Sequence, residues 1–267
     1  MAAGLFTNES SPDAERDAVM DWLGSATRVE SIGRAIRSAI DFVIDGGRTR
    51  RFSIDQLQTS EKIYIGNRVE HSILYELDLP KIAPLDTTIA GLPVDIKFSI
   101  AGDWMIPPEA IAIRALCIVV SANDANSTYR VGVFRALEEH LAKPNRDGKR
   151  NILMSGKASI QWLGQDLPLP PNFLLHLAPD IRERVLAENP GQPAITQLFR
   201  LAIGLVVPRV AVETVARQLD PTKRVRDARI PLNAEGIDIL SRRYDGPELE
   251  TLGHTDLPLD CYVSVRR

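Results

Sequence analysis

Residues 84–100 read PLDTTIAGLPVDIKFSI, and their alternation of apolar and polar side chains constrains the fold more tightly than any other stretch of the chain. Successive side chains of an extended strand point to opposite faces. A period of two therefore puts Val94, Ile96, Phe98 and Ile100 on one face and Asp95, Lys97 and Ser99 on the other. Gly91 and Pro93 punctuate the stretch and predict a β-hairpin. Antiparallel pairing around Gly91 brings Asp86, which stands just ahead of the first strand, beside Asp95.

Upstream the pattern is helical. Ser11 followed by Pro12 reads as an N-cap and first helical position, opening a helix through Trp22 that ends at Gly24. From Thr27, the residues Val29, Ile32, Ile36, Ile40 and Val43 recur at three- and four-residue steps until Gly46 and Gly47 stop the helix. Past the basic corner RTRRFSIDQLQTSEK, a third helix is predicted over 59–77, with Ile65, Val69, Ile73 and Leu77 along one stripe and Glu70 on a different face. Downstream of the hairpin, Pro107 and Pro108 open a short helix. RALCIVVSA and TYRVGVFRAL, joined by NDANS, then predict two strands. Helices, then a small mostly antiparallel or mixed sheet, then helices again indicate an α/β or α+β domain.

Residues 164–172, GQDLPLPPN, carry three prolines, which stiffen the chain and lack amide donors. They predict a junction between a first domain over 1–165 and a second over 173–267. In the second, APDIRERVLAE, PAITQLFRLAIG and PRVAVETVARQL predict helices, and GIDIL and CYVSV predict strands. Two helices joined by a turn at 204–207 and followed by strands suggest a winged helix-turn-helix.

Composition narrows the function classes. No window approaches the roughly eighteen apolar residues of a membrane span. The start, MAAGLFTNESSPDAERD, lacks the basic and apolar runs of a signal peptide, so a cytoplasmic protein is expected. Cys117, inside ALCIVV, and Cys261 read as buried small hydrophobes and not as a disulfide. A net charge of −3 gives no general affinity for nucleic acid, so such a role must rest on local patches. Zincin histidine spacing, a phosphate-binding Gly-Lys-Ser/Thr loop and a Gly-x-Ser-x-Gly elbow are all missing from the sequence.

Asp86 and Asp95 invite a chemical reading. Two adjacent carboxylates raise each other's proton affinity unless a cation sits between them, which makes the pair a candidate Mg²⁺ site built from oxygen ligands. Lys97 can orient or help deprotonate an attacking water, or stabilise charge growing on a phosphate. Together they suit phosphodiester hydrolysis. The plainer reading is a half-buried strand with Asp and Lys on its wet face.

The sequence decides between these through a resemblance. The PLD segment, eight intervening residues and DIK form the PD-(D/E)xK nuclease signature. DGGRTRRFSIDQLQTSEK (45–62), VDIKFSI with WMIPPEAI (94–112), NRDGKR (145–150), FLLHL (173–177) and the run from LFRLAIG to KRVR (198–226) resemble, in order, the type II restriction endonucleases of the NaeI type. The resemblance implies a Mg²⁺-dependent enzyme that cuts both strands of DNA at a GC-rich palindromic site. It further implies a homodimer of two-domain subunits, whose C-terminal helix-turn-helix domain binds a second DNA copy that activates cleavage. Restriction of this kind implies a cognate DNA methyltransferase. The chain stops at Arg267, earlier than the resemblance leads one to expect, so a trimmed effector domain is anticipated.

Carried over, the resemblance assigns Asp86 and Asp95 as metal ligands, and Glu70 as a helix-borne carboxylate that binds metal or orients water. The carbonyl of Ile96 is a further metal ligand, and Lys97 positions water and stabilises the transition state. Expected DNA contacts come from three basic segments: Arg48, Arg50 and Arg51; Lys143, Arg146, Lys149 and Arg150; and Lys223, Arg224, Arg226 and Arg229. Arg209 and Arg217 are candidates too, although with Glu213 they fall at four-residue steps that equally suit an intrahelical ion-pair ladder. The competing function is a DNA-binding transcriptional regulator with an inactive nuclease-like domain; the complete acid and lysine set argues against it.

Overall fold

Asp13 caps the first helix: its carboxylate accepts the Arg16 N–H, and α1 runs over Ala14–Leu23. The computed structural model describes residues 13–255 and 257–267, so the cap expected at Ser11 and Pro12 lies outside the described residues. The predicted stripes form two long helices. In α2 (Ala26–Ile44), Ile32, Ile36, Ile40 and Val43 are buried, and the helix stops where Asp45 turns left-handed. A single turn, α3 (Gly46–Thr49), precedes α4 (Thr59–Glu76), in which Ile65, Val69 and Ile73 are fully buried.

The described residues group into two compact units. One takes the chain up to Ile36 together with Gly66–Leu169; the other is Arg37–Ile65 with Pro170–Arg267.

The first unit is built on a five-stranded sheet. Its strands are β1 (Thr87–Ile89), β2 (Leu92–Phe98), β4 (Leu116–Asn123), β5 (Thr128–Arg135) and β7 (Gln161–Pro168), in the order β1-β2-β4-β5-β7. The pair β2 and β4 is parallel and the rest are antiparallel, so the sheet is mixed and its residues give the α/β architecture that the sequence predicts. A parallel pair needs a crossover, and the chain between β2 and β4 supplies one that contains β3 (Met105–Ile106) and α5 (Pro108–Ala112). β3 pairs with β6 (Arg150–Asn151), which is followed by α6 (Met154–Ala158).

Register explains how β2 presents its side chains. Ile89 pairs with Leu92, which leaves Ala90 and Gly91 as a two-residue turn with φ of 52° and 78°, the type I′ geometry that matches strand twist. Pro93 lies within β2 and takes no part in the turn. β2 ends at Phe98, so Ile100 falls beyond the strand and is 41% exposed instead of sharing the core face. The polar face is not wet either. Asp95 is 3% exposed, because its parallel partner Cys117 and the next inward neighbour Val119 belong to an apolar cluster with Leu85, Trp104 and Phe134. Both faces of β2 are covered, as strands in parallel pairing require. Trp104 is part of that core and donates its Nε1–H to the Val120 carbonyl at 2.8 Å.

The stretch read as a stiff junction begins as strand. β7 runs through Leu167 to Pro168, at an edge of the sheet where its register against β5 shifts twice; an edge tolerates a proline that donates no ladder hydrogen bond.

The second unit holds α7 (Phe173–His176), α8 (Pro179–Ala187), α9 (Gln192–Leu201), β8 (Val206–Pro208), α10 (Arg209–Ala216), α11 (Thr222–Ala234), β9 (Ile237–Ser241), α12 (Arg242–Thr251) and β10 (Cys261–Arg266). Leu198, Phe199, Val212, Val215, Val225 and Leu232 form its core, and an antiparallel sheet in the order β8-β10-β9 closes it. Besides the single-turn α7, two longer helices of this unit escape the sequence reading. α11 contains Pro231 in a strongly polar sequence, and α12 is kinked at Asp245 ahead of Gly246 and Pro247; each breaks the apolar period that marks a helix. Both cysteines are free and buried, and among the described residues no helix is long and apolar enough to cross a membrane.

Ala90 holds a left-handed conformation that costs an alanine roughly 1–2 kcal/mol. Ala90→Asn, a residue at ease in type I′ turns, is expected to raise unfolding stability by up to about 1 kcal/mol in urea titrations.

Candidate active site

Three elements bring four charged side chains together. Glu70 comes from α4, Asp86 from the residue before β1, and Asp95 and Lys97 from β2. Backbone pairing fixes the two aspartates: the Asp86 N–H donates to the Val94 carbonyl at 3.2 Å, one position short of Asp95. Lys97 Nζ stands 2.9 Å from Asp95 Oδ2, 3.6 Å from Asp86 Oδ2 and 3.9 Å from Glu70 Oε1, and donates to the Ile96 carbonyl at 2.9 Å. Asp86 Oδ2 accepts the Ile96 N–H at 2.7 Å, and Asp86 Oδ1 pairs with Lys81.

The four groups titrate as one buried set. Burial pushes the Asp95 carboxyl up to about 7; Lys97 opposes that shift, while neighbouring Asp86 reinforces it. Burial also raises the Glu70 carboxyl against the pull of Lys97. Asp86 is held below the usual carboxylate range: burial works against its charge, but Lys81, Lys97 and hydrogen bonds from Asp95 and the Ile96 amide outweigh it. Burial disfavours the Lys97 ammonium, yet Glu70, Asp95 and Asp86 more than compensate and raise its pKa. Lys97 is therefore a fixed cation at neutral pH. It can position water and stabilise anionic charge, while taking a proton from water falls to another group.

The donor set suits a hard divalent cation. Asp86 and Asp95 are neighbouring carboxylates, the Ile96 carbonyl opens onto the same spot, and Asp95 Oδ2, though ion-paired, is buried without a well-aligned hydrogen-bond donor. Among the described residues no three His, Cys, Asp or Glu side chains are grouped so as to hold a metal ion by themselves, and the Lys97 and Lys81 ammonium groups stand among the acids. Magnesium binds through one or two carboxylates and keeps several waters, so the aspartate pair is enough. Lys81 escapes a reading of the sequence; its only signal there is a position five residues before Asp86 in LPKIAPLD.

The structure leaves most of the basic candidates exposed, Lys143 and Arg146 among them, but pairs several with neighbouring groups. Arg51 forms a two-pronged pair with Glu61 at 2.8 and 2.9 Å, and Arg50 donates to the Glu188 carbonyl at 2.9 Å. Arg48 is exposed and pairs with Asp45. Lys149 is exposed, whereas Arg150 turns back toward the Ala142 carbonyl. Arg209 pairs with Glu213 at 2.7 Å, as the ladder reading foresees, but α10 ends before Arg217, which is left-handed and reaches the Arg48 carbonyl. Lys223 pairs with Asp227, and Arg224 leans on Gln218. Arg226 is exposed and lines a pocket of about 320 Å³ together with Arg209, Arg229, Arg243, Tyr244 and Tyr262. Arg243 and Tyr244 are new to that surface, since they sit on the unforeseen α12.

Because folded Asp95 holds its proton more tightly than the unfolded chain, whose aspartates titrate near roughly 3.9, the contribution of Asp95 to metal-free stability is lost as pH rises from that value through about 7. In thermal melts at pH 8 with a chelator, Asp95→Asn is expected to unfold at higher temperature than the parent. Lys97→Met, which strips the acids of their shared cation, is expected to unfold at lower temperature.

Comparison with known proteins places the chain in a family. The family model for restriction endonuclease NaeI matches residues 25–266. The type II restriction enzyme NaeI of Lentzea aerocolonigenes is 35% identical over 225 residues, which span 80% of this chain and 70% of that protein. The chain belongs to the NaeI restriction endonuclease family and is, with it, a type II site-specific deoxyribonuclease.

Proposed function

We propose that the site formed by Glu70, Asp86, Asp95 and Lys97 hydrolyses phosphodiester bonds of double-stranded DNA with Mg²⁺ as cofactor. The observation that carries this reading is the convergence of three carboxylates on one buried ammonium, on the strand that bears the nuclease signature.

Asp86, Asp95 and the Ile96 carbonyl are the groups that would hold the ion. When bound, Mg²⁺ supplies Lewis acidity toward a phosphate oxygen and lowers the pKa of water. Lys97, anchored to the Ile96 carbonyl and Asp95, aims its remaining N–H at the attacking water and at charge growing on the phosphate oxygens. Glu70, whose proton affinity burial raises and whose Oε1 stands 3.9 Å from Lys97 Nζ, would accept the proton that the water loses. Hydrolysis then forms one P–O bond from water and breaks the P–O bond to the leaving sugar oxygen, which takes up a proton.

The same reading extends to recognition. A GC-rich palindrome is read by two symmetry-related copies, so the working enzyme is a homodimer, and a cognate methyltransferase protects host sites. In the second unit, β8 takes up the turn that the sequence reading puts between α9 and α10, so the winged helix-turn-helix assigned here is α10 and α11 followed by β9 and β10, binding a second DNA copy that activates cleavage. The arginine pocket of α11 and α12 supports this, because Arg226 and Arg243 face solvent in a concave surface with two tyrosines. Arg48, Arg50, Arg51, Lys149, Arg150, Arg209, Arg217, Lys223 and Arg224 remain candidates for binding phosphate, the exposed Arg48 and Lys149 ahead of the inward-turned Arg50 and Arg51.

Incubation with mixed plasmid and phage DNA in Mg²⁺ is expected to give discrete fragments. Asp95→Ala and Lys97→Ala should each cut at least roughly 10²–10³-fold more slowly while still binding DNA. Binding without cutting by the parent protein would refute the nuclease assignment. Arg226→Ala with Arg243→Ala is expected to weaken DNA binding and to reduce the salt slope by about one unit for each phosphate that is no longer neutralised.

A further inference from the structure

Lys81 and Lys97 meet the same acids in different ways. The Lys97 side chain is 17% exposed and tied to three carboxylates and a carbonyl, so it cannot leave. The Lys81 side chain is 58% exposed and reaches the cluster through Asp86. The backbone beneath it is held at both sides: the Thr87 hydroxyl donates to the Pro80 carbonyl at 2.8 Å, and the Ile82 N–H donates to the Asp86 carbonyl at 3.0 Å. The Lys81 Cα is therefore fixed, while its ammonium can swing between Asp86 and solvent.

Charge balance says when it would do so. With Glu70, Asp86 and Asp95 ionised and Lys97 charged, two negative charges are left over; Lys81 cancels one, and a divalent cation cancels both. Lys81 beside a bound divalent ion would leave the cluster net positive, with two cations competing for Asp86 Oδ1. We propose that Lys81 is a built-in, exchangeable counter-ion of the carboxylate cluster: it occupies Asp86 when no divalent cation is bound, is displaced when one binds, and so sets the affinity for metal. This rests on the metal reading of the site given above, and it adds a positioning residue that neither the nuclease signature nor the basic segments include.

The test is calorimetric titration of the DNA-free protein with Mn²⁺, comparing the parent with Lys81→Met and Lys81→Arg. Lys81→Met is expected to bind Mn²⁺ roughly five-fold tighter or more, because the competing charge is gone, and Lys81→Arg is expected to stay within about two-fold of the parent. Thermal melts give a second readout: Lys81→Met should melt lower than the parent in chelator and gain more from added Mn²⁺. Equal affinities across the three proteins, or weaker binding by Lys81→Met, would overturn the counter-ion role while leaving the metal site standing. No Mn²⁺ binding by the parent or by Lys81→Met would overturn both.

Discussion

The Lys97 ammonium, buried among Glu70, Asp86 and Asp95, is the interaction around which the first unit is arranged. Three carboxylates packed against an apolar cluster would otherwise repel one another and be starved of solvation, a combination that costs several kcal/mol per ion. Lys97 makes the arrangement tenable only because β2 delivers Asp95 and Lys97 to the same face, the hairpin delivers Asp86 beside them, and α4 delivers Glu70 within 3.9 Å of Lys97 Nζ. Removing any one of those deliveries leaves charge buried without its partner. The site is in this sense a condition on the fold, and the sheet carries it at a cost that a purely structural sheet would avoid.

That cost has a chemical return. Asp95 faces Cys117 and Val119 across the parallel β2–β4 ladder, in a cluster that also holds Trp104 and Phe134. In those apolar surroundings the field of each charge reaches further than it would at the surface, and in the reaction proposed above the groups are held ready before substrate arrives. That apolar wall raises the proton affinity of Asp95, and burial does the same for Glu70, which makes the acids receptive to a cation. Stability and reactivity are set by the same few neighbours.

Much of this is legible in the sequence because its signals are local. The period of two in residues 92–98, the helical stripe through Ile65, Val69 and Ile73, and the turn glycine at Gly91 each depend only on neighbours along the chain. What sequence reading misjudges depends on partners far away. Alternation alone gives Asp95 a wet face, and only the parallel neighbour β4 buries it. Prolines in 164–172 suggest an irregular junction, and only an edge position in the sheet lets Pro168 end a strand. Arginines that look alike in sequence part company in space: Arg51 is neutralised by Glu61, whereas Arg226 opens into a pocket with Arg243, a residue on a helix that Gly246 and Pro247 disguise. Lys81 is invisible for the same reason, since only the fold shows that a loop lysine falls on Asp86.

The two-residue turn at Ala90 and Gly91 acts as a ruler for the acids. It sets how many residues separate Asp86 from Asp95 across the ladder, and it has no slack with which to absorb a change in that count. Adding or deleting one residue between them would slip the register and turn Asp95 and Lys97 to the opposite face, into the space that Val94 and Ile96 fill. Strand geometry thus locks the length of the hairpin, while its tip admits only residues that tolerate the left-handed backbone of Ala90 and Gly91.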